Sequence, residues 1–212
     1  MTQTVTALPN GTWKQNCYII SSNATGLALL IDPGSDAPSI QHQLSLRSLT
    51  PVAILNTHAH YDHIGAVAAM MATYKIPFYL HYSDLKLLKQ ANIYKILFES
   101  KESVTIPEAT HDLSQHVAPM QIGEFEISVL FTPGHTKGST CLQIGNNLFS
   151  GDTLLPGGPG RTDLPGGDKA ALVRSIELLR ALPGDITVWP GHGKSFPLNT
   201  IWDKVGTCGV KK

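Results

Sequence analysis

Residues 57–63 read Thr57-His58-Ala59-His60-Tyr61-Asp62-His63, and His58, His60, Asp62 and His63 are all side chains that can ligate a metal ion. The run follows Val52–Leu55, a continuous apolar stretch that reads as a buried strand. It precedes Ile64, Val67, Ala68 and Met71, which share one helical face in a helix expected to end near Lys75 and Pro77. A loop between a strand and a helix can turn several side chains into one cleft. Imidazole together with carboxylate suits Zn²⁺, Fe²⁺ or Mn²⁺. Accident would produce H-x-H-x-D-H in about one chain in a thousand of this composition.

Three further segments repeat the arrangement on a smaller scale. Thr132-Pro133-Gly134-His135 follows an expected strand at Phe125–Phe131. Ser150-Gly151-Asp152-Thr153 follows one at Asn147–Ser150, and Pro190-Gly191-His192-Gly193 follows one at Ile186–Trp189. Each sets a ligand-type residue beside glycine, which lets the backbone approach an ion without a Cβ in the way. Alone, each is an ordinary turn. With the first segment they make a metal site of His58, His60, Asp62, His63, His135, Asp152 and His192, more ligands than one tetrahedral ion needs. Two divalent ions are expected, Zn²⁺ first, with iron or manganese as alternatives. Spacing does not decide which ligands share an ion.

Outward from these loops the chain reads as α/β. Asn16–Ile20 and Leu27–Ile31 form a strand pair that stops at the turn Asp32-Pro33-Gly34. Ser39–Leu49 is a surface helix, Phe78–His81 a short strand and Asp84–Gln90 the start of another helix. Ala91–Pro119 is irregular, with a helical turn around Ile93–Phe98, and is long enough to form a lid or substrate wall. Thr140–Ile144 and Asn147–Ser150 make a hairpin through Gly145-Asn146. Asp168 caps a helix whose apolar face is Leu172, Ile176 and Leu179. Two strand-rich halves with helices outside suit a sandwich better than a strictly alternating parallel sheet.

Composition narrows the partners. Sixteen Lys and Arg balance sixteen Asp and Glu among 212 residues, so nucleic acid is not expected as a partner, and nothing suggests a membrane surface. The three cysteines, Cys17, Cys141 and Cys208, form no C-x-x-C pair. Cys17 and Cys141 read as buried thiols, and Cys208 as exposed in a Gly-flanked tail. Met1–Asn16 has no signal-peptide pattern and no apolar run could span a bilayer, so the expected location is the cytoplasm. The balance of charge says nothing about oligomeric state.

The order H-x-H-x-D-H, Gly-His, Gly-Asp, Pro-Gly-His resembles the metallo-β-lactamase superfamily, from the Asn16–Ile20 strand to Gly193. The resemblance implies an αββα sandwich, one domain over residues 1–212 with no separate C-terminal helical substrate domain, and a cleft at the edge between two sheets. It also implies the pairing: His58, His60 and His135 around one ion, Asp62, His63 and His192 around the other, and Asp152 between them. Zinc β-lactamases generally carry a cysteine where this chain has Asp152, which speaks against antibiotics as substrates. Gly151-Asp152-Thr153 with Gly160-Arg161-Thr162-Asp163-Leu164-Pro165-Gly166-Gly167 looks like the small glyoxalase II-type hydrolases, and also like persulfide dioxygenases.

The first likeness implies hydrolysis of a thioester by a metal-bridging hydroxide, with Asp62 and Asp152 orienting it. The substrate would be a small molecule or carrier-bound: a glutathione thioester such as S-lactoylglutathione, or an acyl-carrier-protein or pantetheine thioester. The second likeness implies one Fe²⁺ on His58, His135 and Asp152. A lactonase on the same ligands is a third possibility. Asp32 reads equally as support for a ligand or as an Asx turn and is left outside the site. Lys137 reads as an exposed loop lysine, Arg161 and Asp163 as an ion pair holding their loop, and Tyr61 as cleft wall or packing. His42, His81, His111 and His116 read as surface or core histidines.

Overall fold

The computed structural model describes residues 3–99 and 102–205. Two six-stranded sheets lie face to face with helices on both outer sides. The first has the order β1 (Gln3–Asn10), β2 (Gln15–Ser22), β3 (Leu27–Ile31), β4 (Thr50–Leu55), β5 (Phe78–Leu80), β6 (His111–Asp112). It is antiparallel as far as β3 and parallel beyond it. The second contains β7 (Met120–Ile122), β8 (Phe125–Phe131), β9 (Thr140–Ile144), β10 (Asn147–Gly151), β13 (Thr187–Pro190) and β14 (Phe196–Pro197), in the order β14-β13-β10-β9-β8-β7. A two-stranded ribbon of β11 (Leu154–Leu155) and β12 (Gly158–Pro159) sits between β10 and β13 in the chain.

The four layers follow from period-two alternation on strands that are buried on both faces. In β2, Tyr18 and Ile20 point into the inter-sheet core with Phe125, Ile127, Leu142 and Phe149. Cys17 and Ile19 point the other way, against Ile40 and Leu44 of α1 (Ala37–Leu46) and Val67 and Met70 of α3 (Val67–Tyr74). On the far side, Cys141, Leu148 and Val188 meet Leu172, Ile176 and Leu179 of α6 (Lys169–Arg180) and Val205 of α7 (Trp202–Val205). The αββα architecture is as expected. Cys17 and Cys141 are buried free thiols, and Cys208 lies outside the described residues. Among the described residues no helix is long and apolar enough to cross a membrane.

Several elements differ from the sequence reading, for local reasons. β1 is an edge strand with one face half exposed, so it lacks the apolar run that would mark it. The helix after the histidine run is broken into α2 (Tyr61–Ile64) and α3. At the break, a Cβ on Gly65 would overlap the Gly34 carbonyl, and Ala66 N donates to Pro33 O at 2.9 Å. The Asp32-Pro33-Gly34 turn therefore wedges against the metal loop. Helix α1 starts at Ala37 because the Asp36 carboxylate caps it, accepting from Ser39 N. The Asp168 cap is present as expected, accepting from Ala171 N at 2.9 Å. The described part of the segment 91–119 carries more regular structure than its composition suggests. After α4 (Leu85–Lys89) it carries α5 (Ala91–Phe98) and then β6, which completes the first sheet through β5.

Candidate metal centre

Four strands end at one edge of the sandwich: β4 of the first sheet, and β8, β10 and β13 of the second. The loops leaving their C-terminal ends carry all seven candidate ligands, and the fold brings all seven together. His58, His60 and His135 form one group and Asp62, His63 and His192 another, with the ligand atoms of each group within 4.8 Å of one another. Asp152 lies between them: Oδ2 is 3.5 Å from His135 Nε2 and 3.6 Å from His192 Nε2, and Oδ1 is 3.8 Å from His63 Nε2.

The outward nitrogen of nearly every imidazole is tied to the protein. His135 Nδ1 donates to Arg161 O at 2.8 Å and His192 Nδ1 to Trp13 O at 3.1 Å. His58 Nδ1 donates to Thr57 Oγ1 at 3.0 Å, and that hydroxyl donates onward to Asp32 Oδ2 at 2.6 Å. His63 Nδ1 donates to the same Asp32 oxygen at 3.1 Å. These bonds set the tautomers and leave Nε2 of all four rings facing the cluster. His60 instead turns Nδ1 inward, 2.9 Å from His135 Nε2.

The residues suit a cation. His58 Nε2 and Asp152 Oδ1 are buried with no hydrogen-bond partner, a costly state for a lone pair and a carboxylate oxygen unless a positive charge faces them. Burial, and then the neighbouring His63, hold His58 well below the usual imidazole range. Burial and His135 bring His60 down to about 3. Both rings are therefore neutral donors. The other group is charged: burial opposes the charge on His63, yet Asp62 and Asp32 push it up to about 10. Burial likewise opposes the charge on His192, but a bond with Asp62 and the charge of Asp152 raise it. Burial would raise Asp62, and His63 and His192 outweigh that and hold it below the ordinary carboxylate range. In this group protons hold the positions that a cation would take.

A pH dependence follows for the metal-free protein. His63 is raised above its unfolded value of about 6.5, so its stabilising contribution is complete below that pH and drains away as pH climbs toward the folded value. The chelator-stripped protein should lose Tm steadily between about pH 7 and 9. A Tm that is flat or rising over that interval would contradict this charge assignment.

Asp32, left outside the site by the sequence reading, belongs directly behind it. It is buried, and besides the bonds from Thr57 Oγ1 and His63 it accepts from Thr57 N at 2.7 Å. One carboxylate thus orients a ligand of each group. In Asp32→Asn an amide donor would face other donors. Metal affinity should fall by about 10–100-fold in competition with a chromophoric chelator. Unchanged affinity would remove Asp32 from this role.

A second buried carboxylate, Asp84, was missed altogether. It accepts from Ala59 N at 3.1 Å, Thr136 Oγ1 at 2.8 Å and Gly138 N at 2.7 Å, tying the His58–His63 loop to the His135 loop. Single acids whose donors come from distant loops leave no spacing signature in the sequence.

The cluster opens into a cleft of about 230 Å³ walled by Trp13, Tyr61, Tyr94, Phe98 and Leu164. Tyr61 accepts from Trp13 Nε1 at 2.8 Å, so it is cleft wall. Tyr94 and Phe98 come from α5, which gives the 91–119 segment its expected role as a wall. Arg161 and Asp163 form a two-pronged ion pair at 2.7 Å on the exposed loop, as read. Lys137 is exposed. His81 stacks on Phe131 with centroids 4.3 Å apart, His111 stacks on Tyr79, and neither belongs to a ligand group.

Known proteins match both the sequence and the fold. The chain is 37% identical over 200 residues to "Probable metallo-hydrolase YqgX" of Bacillus subtilis, covering 93% of each. It superposes on the crystal structure of BLEG-1 B3 metallo-beta-lactamase with a TM-score of 0.87 and 37% identity, covering 94% of this chain and 97% of that one. It superposes on TTHA1623 in a di-iron-bound form with a TM-score of 0.83 and 34% identity, covering 93% and 96%. The family model described as the metallo-beta-lactamase superfamily matches residues 10–192, from the tip of the first hairpin to the last candidate ligand. By sequence, by fold and by the ligands it gathers at one sheet edge, the chain belongs to the metallo-beta-lactamase superfamily.

Proposed function

We propose that this protein is a hydrolase that holds two divalent metal ions and cleaves thioesters. His58, His60 and His135 would hold one ion, Asp62, His63 and His192 the other, with Asp152 bridging. When bound, such ions supply a nucleophile from water at neutral pH and polarise a carbonyl as Lewis acids. Zinc and iron both suit this donor set, and a related structure is described in a di-iron-bound form.

The observation that carries the choice of thioester is the poverty of proton donors in the cleft. Outside the cluster no carboxylic acid, imidazole or ammonium group is among the described residues that line the cleft. Burial pushes the Tyr61 hydroxyl up to about 12, and the Arg161 guanidinium is engaged with Asp163. An amine or alkoxide must be protonated as it leaves, whereas a thiolate departs without help. In the proposed reaction the water oxygen bonds to the acyl carbon. The C–S bond breaks with its electron pair on sulfur, Asp62 and Asp152 accept the hydrogen bonds that orient the attacking water, and the proton that water gives up passes to solvent.

The test is metal content per chain by mass spectrometry on protein purified without added metal, with a substrate panel run on the same sample. The panel holds S-lactoylglutathione, an acyl-pantetheine thioester, a lactone and a β-lactam. The last is included because a structural relative at 37% identity is described as a B3 metallo-beta-lactamase. About two ions per chain, with thioester cleavage well ahead of lactone and lactam, is the expected result. One iron per chain, no thioester cleavage and oxygen uptake with glutathione persulfide would overturn it in favour of a dioxygenase.

A further inference from the structure

Beside the metal cleft lies a second hollow of about 140 Å³, and the two share Tyr94 and Pro165 as a common wall. Their chemistry differs. The side of the metal cleft away from the ligands is apolar and aromatic, with Trp13, Phe98 and Leu164. The neighbouring hollow is edged by Lys86 and Lys137, with Ser83 between the two wall elements. Both lysines are exposed, and neither forms an ion pair within 4.0 Å among the described residues. The acid in the lining, Asp84, accepts from Ala59 N, Thr136 Oγ1 and Gly138 N and pairs with neither lysine within 4.0 Å. The two ammonium groups stand on different elements, α4 and the His135 loop. Asp84 joins those elements directly, so the chain segments that carry the two lysines are tied by the same bonds that hold the metal loops.

We propose that the hollow between Lys86 and Lys137 receives an anionic group, phosphate or carboxylate, on the thiol half of the substrate, while the acyl half lies against Trp13 and Phe98. The assignment rests on the thioester reading and narrows it to substrates whose thiol carries a negative charge. Lysine meets such a group as a point charge, so phosphate and carboxylate are both suitable partners. Two sources of that charge exist, the phosphate of 4′-phosphopantetheine and the carboxylates of glutathione.

The test measures affinity apart from turnover. Zinc-loaded protein is titrated calorimetrically with three thioethers that cannot be hydrolysed: S-butyl-4′-phosphopantetheine, S-butylpantetheine and S-butylglutathione. At least one anionic compound should bind about tenfold more tightly than neutral S-butylpantetheine, and which one does so names the source. In Lys86→Gln/Lys137→Gln that preference should fall to about one, and in Lys86→Glu/Lys137→Glu it should invert. Equal affinity of all three compounds for the wild-type protein, or a preference that survives the double substitution, would overturn the assignment. Cleavage of the butyryl thioester of neutral pantetheine is followed in parallel. If it is cleaved without any anion preference, only the lysine hollow is wrong. If no thioester is cleaved, the thioester reading itself is wrong, whatever the lysines bind.

Discussion

Asp152→Ala should reduce the bound metal to one ion or fewer per chain and lower thioester hydrolysis by about a thousandfold or more, close to 4 kcal/mol of lost transition-state stabilisation. Asp152 is the one acid whose two oxygens face both ligand groups, with 3.5 Å to His135 Nε2 and 3.6 Å to His192 Nε2. Oδ1 has no other hydrogen-bond partner. Removing it would leave the two proposed ions facing each other without an intervening negative charge. At an effective dielectric of about 20, each pair of unit charges 4 Å apart is worth roughly 4 kcal/mol, so the repulsion left behind is large on the scale of metal binding. The fold should persist, since Asp152 bonds to no backbone group outside its loop. Circular dichroism and Tm in excess chelator, where the ions no longer contribute, separate this from simple unfolding. Two ions per chain with near-normal turnover would remove Asp152 from the bridging position.

Gly191→Ala should be nearly as damaging, although it alters no ligand. A Cβ at residue 191 would overlap Asp152 Oδ1 and lie 2.8 Å from His63 Cε1. The backbone cannot retreat. Gly191 N donates to Gly151 O at 2.7 Å, and Gly191 O accepts from Asn16 N at 2.7 Å, so the peptide is clamped between β10 and β2. The added methyl must therefore displace the two ligands. Loss of about 100-fold or more in metal affinity is expected, with turnover falling in step. Gly157→Ala serves as the comparison, because open space surrounds that position. If Gly191→Ala binds metal as the wild type does, the ligand positions are looser than the packing around Gly191 requires.

These two residues also mark what could be read in advance. Asp152 and Gly191 sit in short segments where ligand and glycine are neighbours in the chain, and such local chemistry is visible in a string of letters. The ligands of residues 57–63 were legible for the same reason, since one loop carries them. The apolar runs of β2 and β3, buried along nearly their whole length, and the apolar face of α6 made the strands and helices of the sandwich readable. Asp32 was legible only as one of two equal readings, and Asp84 not as part of the site at all, because their meaning lies in donors brought from 25 to 54 residues away by the fold. β1 escaped notice because an edge strand half open to solvent needs no apolar run. The break at Gly65 escaped because it is imposed by the Gly34 carbonyl, a contact between segments that no helical period records. The hollow beside Lys86 and Lys137 belongs to the same class: each lysine alone is an ordinary surface residue.

His135 and His192 are held from behind by the backbone carbonyls of Arg161 and Trp13, and the side chains of those same two residues line the cleft. A carbonyl survives any substitution at its position. Selection can therefore rewrite the side chains at 13 and 161, reshaping what the cleft accepts, without disturbing the imidazoles they support. Metal support and cleft shape thus rest on different parts of residues 13 and 161, so substitutions there can change what the cleft accepts while both imidazoles keep their carbonyl partners.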